Sequence, residues 1–366
     1  MTEMTVSCSP DKVAAWRKTV GRKAVYLDTS CWINLRDEKK RSHCEVKAIL
    51  RRLVSEGRVL CPLSAALIWE LYKQEADSRL RTAALMDELS LGLTYANNYE
   101  IFAWEIERFV SRFLGFGEID MTQSGLYVPV LGYLSSQSHI AFPAEFARDM
   151  TNEEFIRQIR QKINSTTLTE LIQMRLNDEE DRVGRCFQRL APPTVSARIA
   201  LLRENAHKKD KQLKKDALFL VEFYHVLKTE IYPAVKDRLP SEVVLRFAEH
   251  LRTMDALMSE NESSIGRGAK CLKETLKLLP ALYNHVELLT TIIPNKTNGL
   301  INDFFDQEHM PVPLAYATVF AAEDKGIKYV LQGAGKQSRV LERTSCKFYC
   351  NLESLLDWLK DESNLE

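Results

Sequence analysis

An α/β fold built on a parallel sheet is predicted by three features of the chain. A short apolar run, residues 24–27, ends on Asp28 and is followed by Thr29 and Ser30. An amphipathic helix and a second short apolar segment come next, and the same alternation returns near the far end of the sequence. Buried parallel strands read as nearly unbroken hydrophobic segments. In open α/β sheets, ligand sites collect at the carboxyl ends of such strands, and Asp28 stands at one.

The elements follow in order. Residues 36–41 form a charged turn leading into a helix over 45–54, where Val46, Ile49, Leu50 and Leu53 fall at i, i+3, i+4 and i+7. Gly57 stops that helix. Residues 59–63 read as a second strand, and Ser64 suits the N-cap of a helix carrying Leu67, Ile68 and Leu71 on one face, with Glu70 beside them. Residues 91–294 change character and read as overwhelmingly helical. Thr151 and Glu154 make a capping box there, and further helices are expected over 169–176, 197–203, 216–231, 241–258 and 269–279. Pro192, Pro193, Pro233, Pro240 and Pro280 punctuate them. Residues 115–136, with four glycines and Pro129, read as a long irregular loop.

Beyond residue 295 the alternation resumes. Asn302 to Asp306 begins a helix, 314–320 supplies its apolar continuation, 326–331 and 346–350 read as strands, and Asn351 caps a terminal helix reaching 360. The economical organisation is one parallel-sheet domain formed by 20–90 and 295–366, interrupted by a mostly helical insertion over 91–294. Three independent domains are the alternative, and they would separate Asp28 from Asp306.

Composition excludes little but sharpens the rest. In 366 residues, Lys plus Arg and Asp plus Glu both total 50, so no global basic field advertises a polyanion partner. Apolar residues make up 45%, enough for a sizeable core. The basic cluster Lys208, Lys209, Lys211, Lys214 and Lys215 could face phosphates, though a solvated helix face explains it more simply. Of eight cysteines only Cys346 and Cys350 are close, and that spacing without a second pair is poor for zinc; buried thiols are expected. Residues 1–12 lack an apolar targeting core, and no apolar stretch approaches the roughly 20 residues of a bilayer span. A cytoplasmic protein with no membrane contact is expected. The five tryptophans read as core, with Trp32 near enough to Asp28 to line a crevice.

Acids recur where elements begin or end: Asp28, Glu70, Asp303, Asp306, Glu323 and Asp324. Several carboxylates converging in a dry site need a counter-charge, and Mg²⁺ or Mn²⁺, which prefer oxygen ligands, supply it.

The pieces Val25-Tyr26-Leu27-Asp28-Thr29-Ser30, Pro62-Leu63-Ser64 with Glu70, Asn302-Asp303 through Asp306 and His309, and Ala322-Glu323-Asp324 resemble the PIN (PilT N-terminus) domain ribonucleases. The closing strand and helix, 348–360, resemble them too. The likeness covers residues 24–81 and 297–360. It implies an acidic set binding one or two divalent ions and cleaving RNA to leave a 5′-phosphate. Carried over, the catalytic acids are Asp28, Glu70, Asp306 and Glu323 or Asp324. Asp28, Asp306 and Asp303 hold metal, and Thr29, Ser30 and His309 contact substrate. RNA is the implied partner, although these residues do not separate RNA from DNA; a second copy or a regulatory protein is a further expected partner. Two positions depart from the family pattern: Thr318 stands near where many members carry Asp, and Ala322 replaces a usual Thr. A non-cleaving relative that binds nucleic acid or protein is the competing reading.

Overall fold

The computed structural model describes residues 4–6, 12–96, 98, 100–102, 104–105, 108, 126–130, 140–142, 157, 161–162, 165–176, 279–292, 309–332 and 340–364. Strand β1 (Met4–Val6) and helix α1 (Lys12–Thr19) come first. Strand β2 (Lys23–Leu27) passes through Asp28 directly into helix α2 (Thr29–Asp37). Helix α3 (Arg41–Ser55), strand β3 (Val59–Leu60), and helices α4 (Ala65–Leu71) and α5 (Ala76–Ser90) follow. The middle of the chain contributes β4 (Leu93–Tyr95), β5 (Tyr127–Pro129), β6 (Ile140–Phe142), α6 (Leu168–Leu176) and α7 (Pro280–Ile292). The far end supplies α8 (Pro311–Tyr316), β7 (Val319–Ala321), α9 (Lys325–Gln332), α10 (Val340–Arg343), β8 (Lys347–Tyr349) and α11 (Leu352–Asn364).

Four strands form one parallel sheet in the order β3-β2-β7-β8, flanked by helices. The two ends of the chain therefore share a sheet, with Val25 opposite Val319, Tyr26 opposite Phe320 and Leu27 opposite Ala321. Beyond β3, Leu63 bridges to Thr94 in parallel, and β4 pairs antiparallel with β5. The central strands are dry: Val25, Tyr26, Leu27, Val319, Phe320 and Ala321 are all fully buried. The ring of Phe320 packs 5.3 Å from that of Tyr26 and 5.7 Å from that of Phe348, tying three adjacent strands together. Helices α3 and α11, distant in sequence, pack closely against one another. No helix among the described residues is long and apolar enough to cross a membrane, and the five described cysteines are free thiols.

Several elements differ from the sequence expectation. Residues 326–331 form helix α9 instead of a strand. Asp324 accepts the amides of Gly326 at 2.6 Å and Ile327 at 3.0 Å, capping a turn, and Ile327, Val330 and Leu331 then share a helical face. A six-residue apolar run fits either period, and the cap decides it. Residues 314–320 are not one helix: α8 ends at Tyr316, Ala317 is extended, and β7 begins at Val319. The expected turn at 36–41 is shorter, because α2 runs to Asp37 before it. Residues 115–136 are not wholly irregular, since Tyr127–Pro129 pairs with the buried strand β4. Of the expected middle helices, 169–176 corresponds to α6; the capping box at 151–154, the helices over 197–203, 216–231 and 241–258, residues 269–278 of the one expected over 269–279, and the basic cluster at 208–215 lie outside the described residues.

The described parts of the middle are anchored on the core by carboxylates. Asp87 on α5 accepts the amides of Leu168 and Thr169 at the start of α6, at 2.7 and 2.8 Å. Glu105, 1% exposed, accepts the amides of Ala281 and Leu282 at the start of α7 and the Tyr316 hydroxyl at 2.5 Å. Burial pushes the Glu105 carboxyl up to about 7 from 4.5, despite the donors around it. A raised folded value means that its contribution is fully present below the unfolded value and is lost as pH rises through about 7. Between about pH 5 and pH 8, wild type should therefore lose on the order of 2–3 kcal/mol relative to Glu105→Gln. Denaturant titrations of both proteins at the two pH values check this; parallel pH profiles would show that Glu105 is ionised without penalty.

Candidate functional site

Strand order in the sheet reverses at β2. The chain steps outward from β2 to β3 on one side and from β7 to β8 on the other, so the crevice between the carboxyl ends of β2 and β7 is a topological switch point. Asp28 follows the last residue of β2, and its amide donates to Ala321 O of β7 at 3.0 Å. Glu323 and Asp324 follow β7. Ser64, after β3, opens α4, which carries Glu70. The folding of both chain ends into one sheet thus gathers Asp28, Glu70, Glu323 and Asp324 at one edge. Asp303 and Asp306 lie outside the described residues.

Asp28 is 2% exposed, where the sequence suggested an open crevice residue. It is also the N-cap of α2, accepting the Cys31 amide at 2.9 Å. The Ser30 hydroxyl donates to its carboxylate at 2.8 Å, and the Asp324 amide approaches at 3.4 Å. The Cys31 thiol also lies against this carboxylate. Burial raises the Asp28 carboxyl above its ordinary value, and the Cys31 and Ser30 contacts and the charge of His309 offset this only in part.

Glu70 receives the Thr29 hydroxyl, and Lys73 stands 3.5 Å away. Burial alone would raise Glu70; His309, then Thr29 and Lys73, hold it below the usual carboxylate range. Nε2 of His309 lies 3.4 Å from Glu70 Oε2, outside hydrogen-bond alignment.

A hydroxyl relay sets the orientation of His309. Ser64 Oγ accepts the Leu67 amide at 3.3 Å and shares a hydrogen bond with the Tyr26 hydroxyl 2.7 Å away. The Tyr26 hydroxyl also hydrogen-bonds His309 Nδ1 at 2.8 Å, which fixes the ring with Nε2 toward Glu70. Sequence reading passed over Tyr26, although its two-residue spacing from Asp28 puts both on one face of the extended chain.

Glu323 turns away from this group. Asn34 donates to its Oε2 at 2.5 Å, the Leu352 amide to its Oε1 at 3.0 Å, and its own amide to Ser30 Oγ at 3.2 Å. Asp324 is spent on the α9 cap. Among the described residues, the one His, Cys, Asp or Glu group whose ligand atoms all lie within 4.8 Å of one another is His43, Glu323 and Glu353; Asp28 and Glu70 belong to no such group. The expected set is thus brought to one edge but split in two: Asp28, Glu70 and His309 on one side, Glu323 on the other. Trp32 is core: fully buried, it donates from Nε1 to Leu27 O at 3.0 Å.

The chain matches no family model, no curated protein and no solved structure.

Proposed function

We propose that the chain is a divalent-cation-dependent nuclease of PIN-like type, with RNA as its substrate class. One observation carries the reading: a buried Asp28 directly follows the central strand at the switch point of a parallel sheet, among acids brought from both ends of the chain.

The donor set fits a hard cation. Asp28 and Glu70 offer carboxylate oxygens, in a setting that penalises the charge of Asp28. Asp28 and Glu70 would hold Mg²⁺ or Mn²⁺, with Asp303 and Asp306 as further candidate ligands. When bound, such an ion supplies Lewis acidity at a phosphoryl oxygen. The chain's own groups do the rest. Ser30 and the Cys31 amide fix the Asp28 carboxylate, and Thr29 fixes Glu70. His309, held through Nδ1 by Tyr26, presents Nε2 beside Glu70, and in its imidazolium form it would hand that proton to the departing oxygen of a substrate seated there and be left as neutral imidazole.

Incubation of end-labelled single-stranded RNA with the full chain tests the reading. Cleavage in Mn²⁺ or Mg²⁺ that stops with chelator and leaves 5′-phosphate ends is expected. No cleavage of any RNA or DNA, whatever the ion, would leave the competing reading of a binding module. That second reading has its own support: Asp28 and Asp324 already serve as helix caps.

A further inference from the structure

We propose that His43, Glu323 and Glu353 form a site for a zinc-like divalent transition metal, clasping helix α3, the end of β7 and helix α11. The site shares Glu323 with the acidic edge but does not rest on the nuclease reading.

One ligand atom from each residue lies within 4.8 Å of the other two. His43 supplies the independent sign. It is 2% exposed, and neither ring nitrogen has a hydrogen-bond partner among the described residues. Buried polar groups are nearly always satisfied, and each exception calls for a reason such as a missing ion. Its Nε2 faces Glu353 Oε1 at 3.9 Å, too far for a hydrogen bond and suited to an intervening atom. The other buried histidine at this edge, His309, is by contrast engaged through Nδ1 by Tyr26.

The carboxylates are already aimed. Asn34 and the Leu352 amide hold Glu323, while Lys40 at 2.8 Å and Ser42 at 3.4 Å reach Glu353. Such outer contacts orient ligands: each Glu323 oxygen retains a lone pair for a metal, while Lys40 and Ser42 both reach Oε1 of Glu353, so a metal takes Oε2 or displaces one of them. Zinc distances of about 2.0–2.2 Å put tetrahedral ligands roughly 3.4 Å apart, so the trio must close by at most about 1.4 Å. Glu353, 41% exposed at its side chain, has room to make that movement. Lys40, 61% exposed, neutralises Glu353 meanwhile and can swing into water. An imidazole nitrogen with two carboxylates suits Zn²⁺, Co²⁺ or Ni²⁺ above Mg²⁺ or Ca²⁺. Three protein ligands leave a fourth position for water.

The site sits on rigid elements. His43 lies in the first turn of α3, Glu353 in the first turn of α11, and Glu323 two residues beyond β7. A metal there would bind the folded state alone and so raise thermal stability.

Titration of the full chain with Co²⁺ in excess Mg²⁺, followed by visible absorption, tests this. Wild type should take up one equivalent with ligand-field bands that Zn²⁺ abolishes. His43→Gln and Glu353→Gln should each bind more weakly than the roughly 10–100-fold loss that removing an outer partner causes. Asp28→Asn should bind Co²⁺ as wild type does, which separates failure here from failure of the nuclease reading. The proposal is overturned if wild type takes up no Co²⁺, if both variants titrate like wild type, or if Asp28→Asn alone abolishes uptake. Glu353→Gln, at a half-exposed position, keeps the test decisive should His43→Gln not fold.

Discussion

Asp28→Asn is expected to lower divalent-dependent RNA cleavage by at least about 10²–10³-fold, the loss typical of removing one preorganised charge-stabilising group. The substitution is nearly isosteric and keeps the cap, because the amide oxygen can still accept the Cys31 amide and the Ser30 hydroxyl can turn to accept from the new NH₂. The two proteins should also differ in stability, in a direction set by burial. The Asp28 carboxyl is raised because the dry site penalises its charge. Without divalent ions, the neutral variant should therefore melt no lower than wild type near neutral pH. With Mn²⁺ added, wild type should gain stability at this site and Asp28→Asn should not. Single-turnover cleavage and thermal melts, each with and without Mn²⁺, read both effects. A variant that cleaves as fast as wild type would remove Asp28 from the chemistry.

Phe320→Ala should have the largest effect on the fold. Phe320 is fully buried on β7, the strand through which the far end of the chain joins β2, and its ring meets Tyr26 on one side and Phe348 on the other. Emptying such a position costs about 3–5 kcal/mol, against a total of about 5–15 kcal/mol for typical domains. Most of the margin would go, and the acidic edge would be lost with it, since Asp28 and Glu323 are held together by the β2–β7 pairing. Phe348→Ala, on the edge strand and only partly buried, should cost clearly less. Urea unfolding midpoints of the two variants give the comparison; equal midpoints would mean that the β2–β7 junction is not the keystone of the core.

What could be read from the sequence follows from local physics. The β2 strand, the helix ending before Gly57, the short β3 strand, β8 and the Asn351 cap were each marked by a complete signal: an apolar run, a 3.6-residue stripe, a glycine with φ of 76°, or a side-chain cap. The return of the chain to the same sheet was legible because the alternation resumed after residue 295. Misreadings arose where two signals competed. Ile327, Val330 and Leu331 fit either period, and the cap at Asp324, a residue the sequence also offers as a catalytic acid, decides for the helix. Tyr127–Pro129 gave no strand signal of its own, because Pro129 argues against one and its partner β4 lies about thirty residues away. Within the site, Asp28, Glu70 and His309 carried local patterns. His43, Asn34 and Glu353 carried none, because α3, α2 and α11 meet only through tertiary packing.

Diffraction from a crystal grown with Mn²⁺, recorded for anomalous scattering, most directly tests whether acids from both chain ends share a cation. A peak at Asp28, ligated also by a carboxylate from beyond residue 295, is the expected result. Manganese found elsewhere, with Asp28 still serving only as the cap of α2, would contradict it.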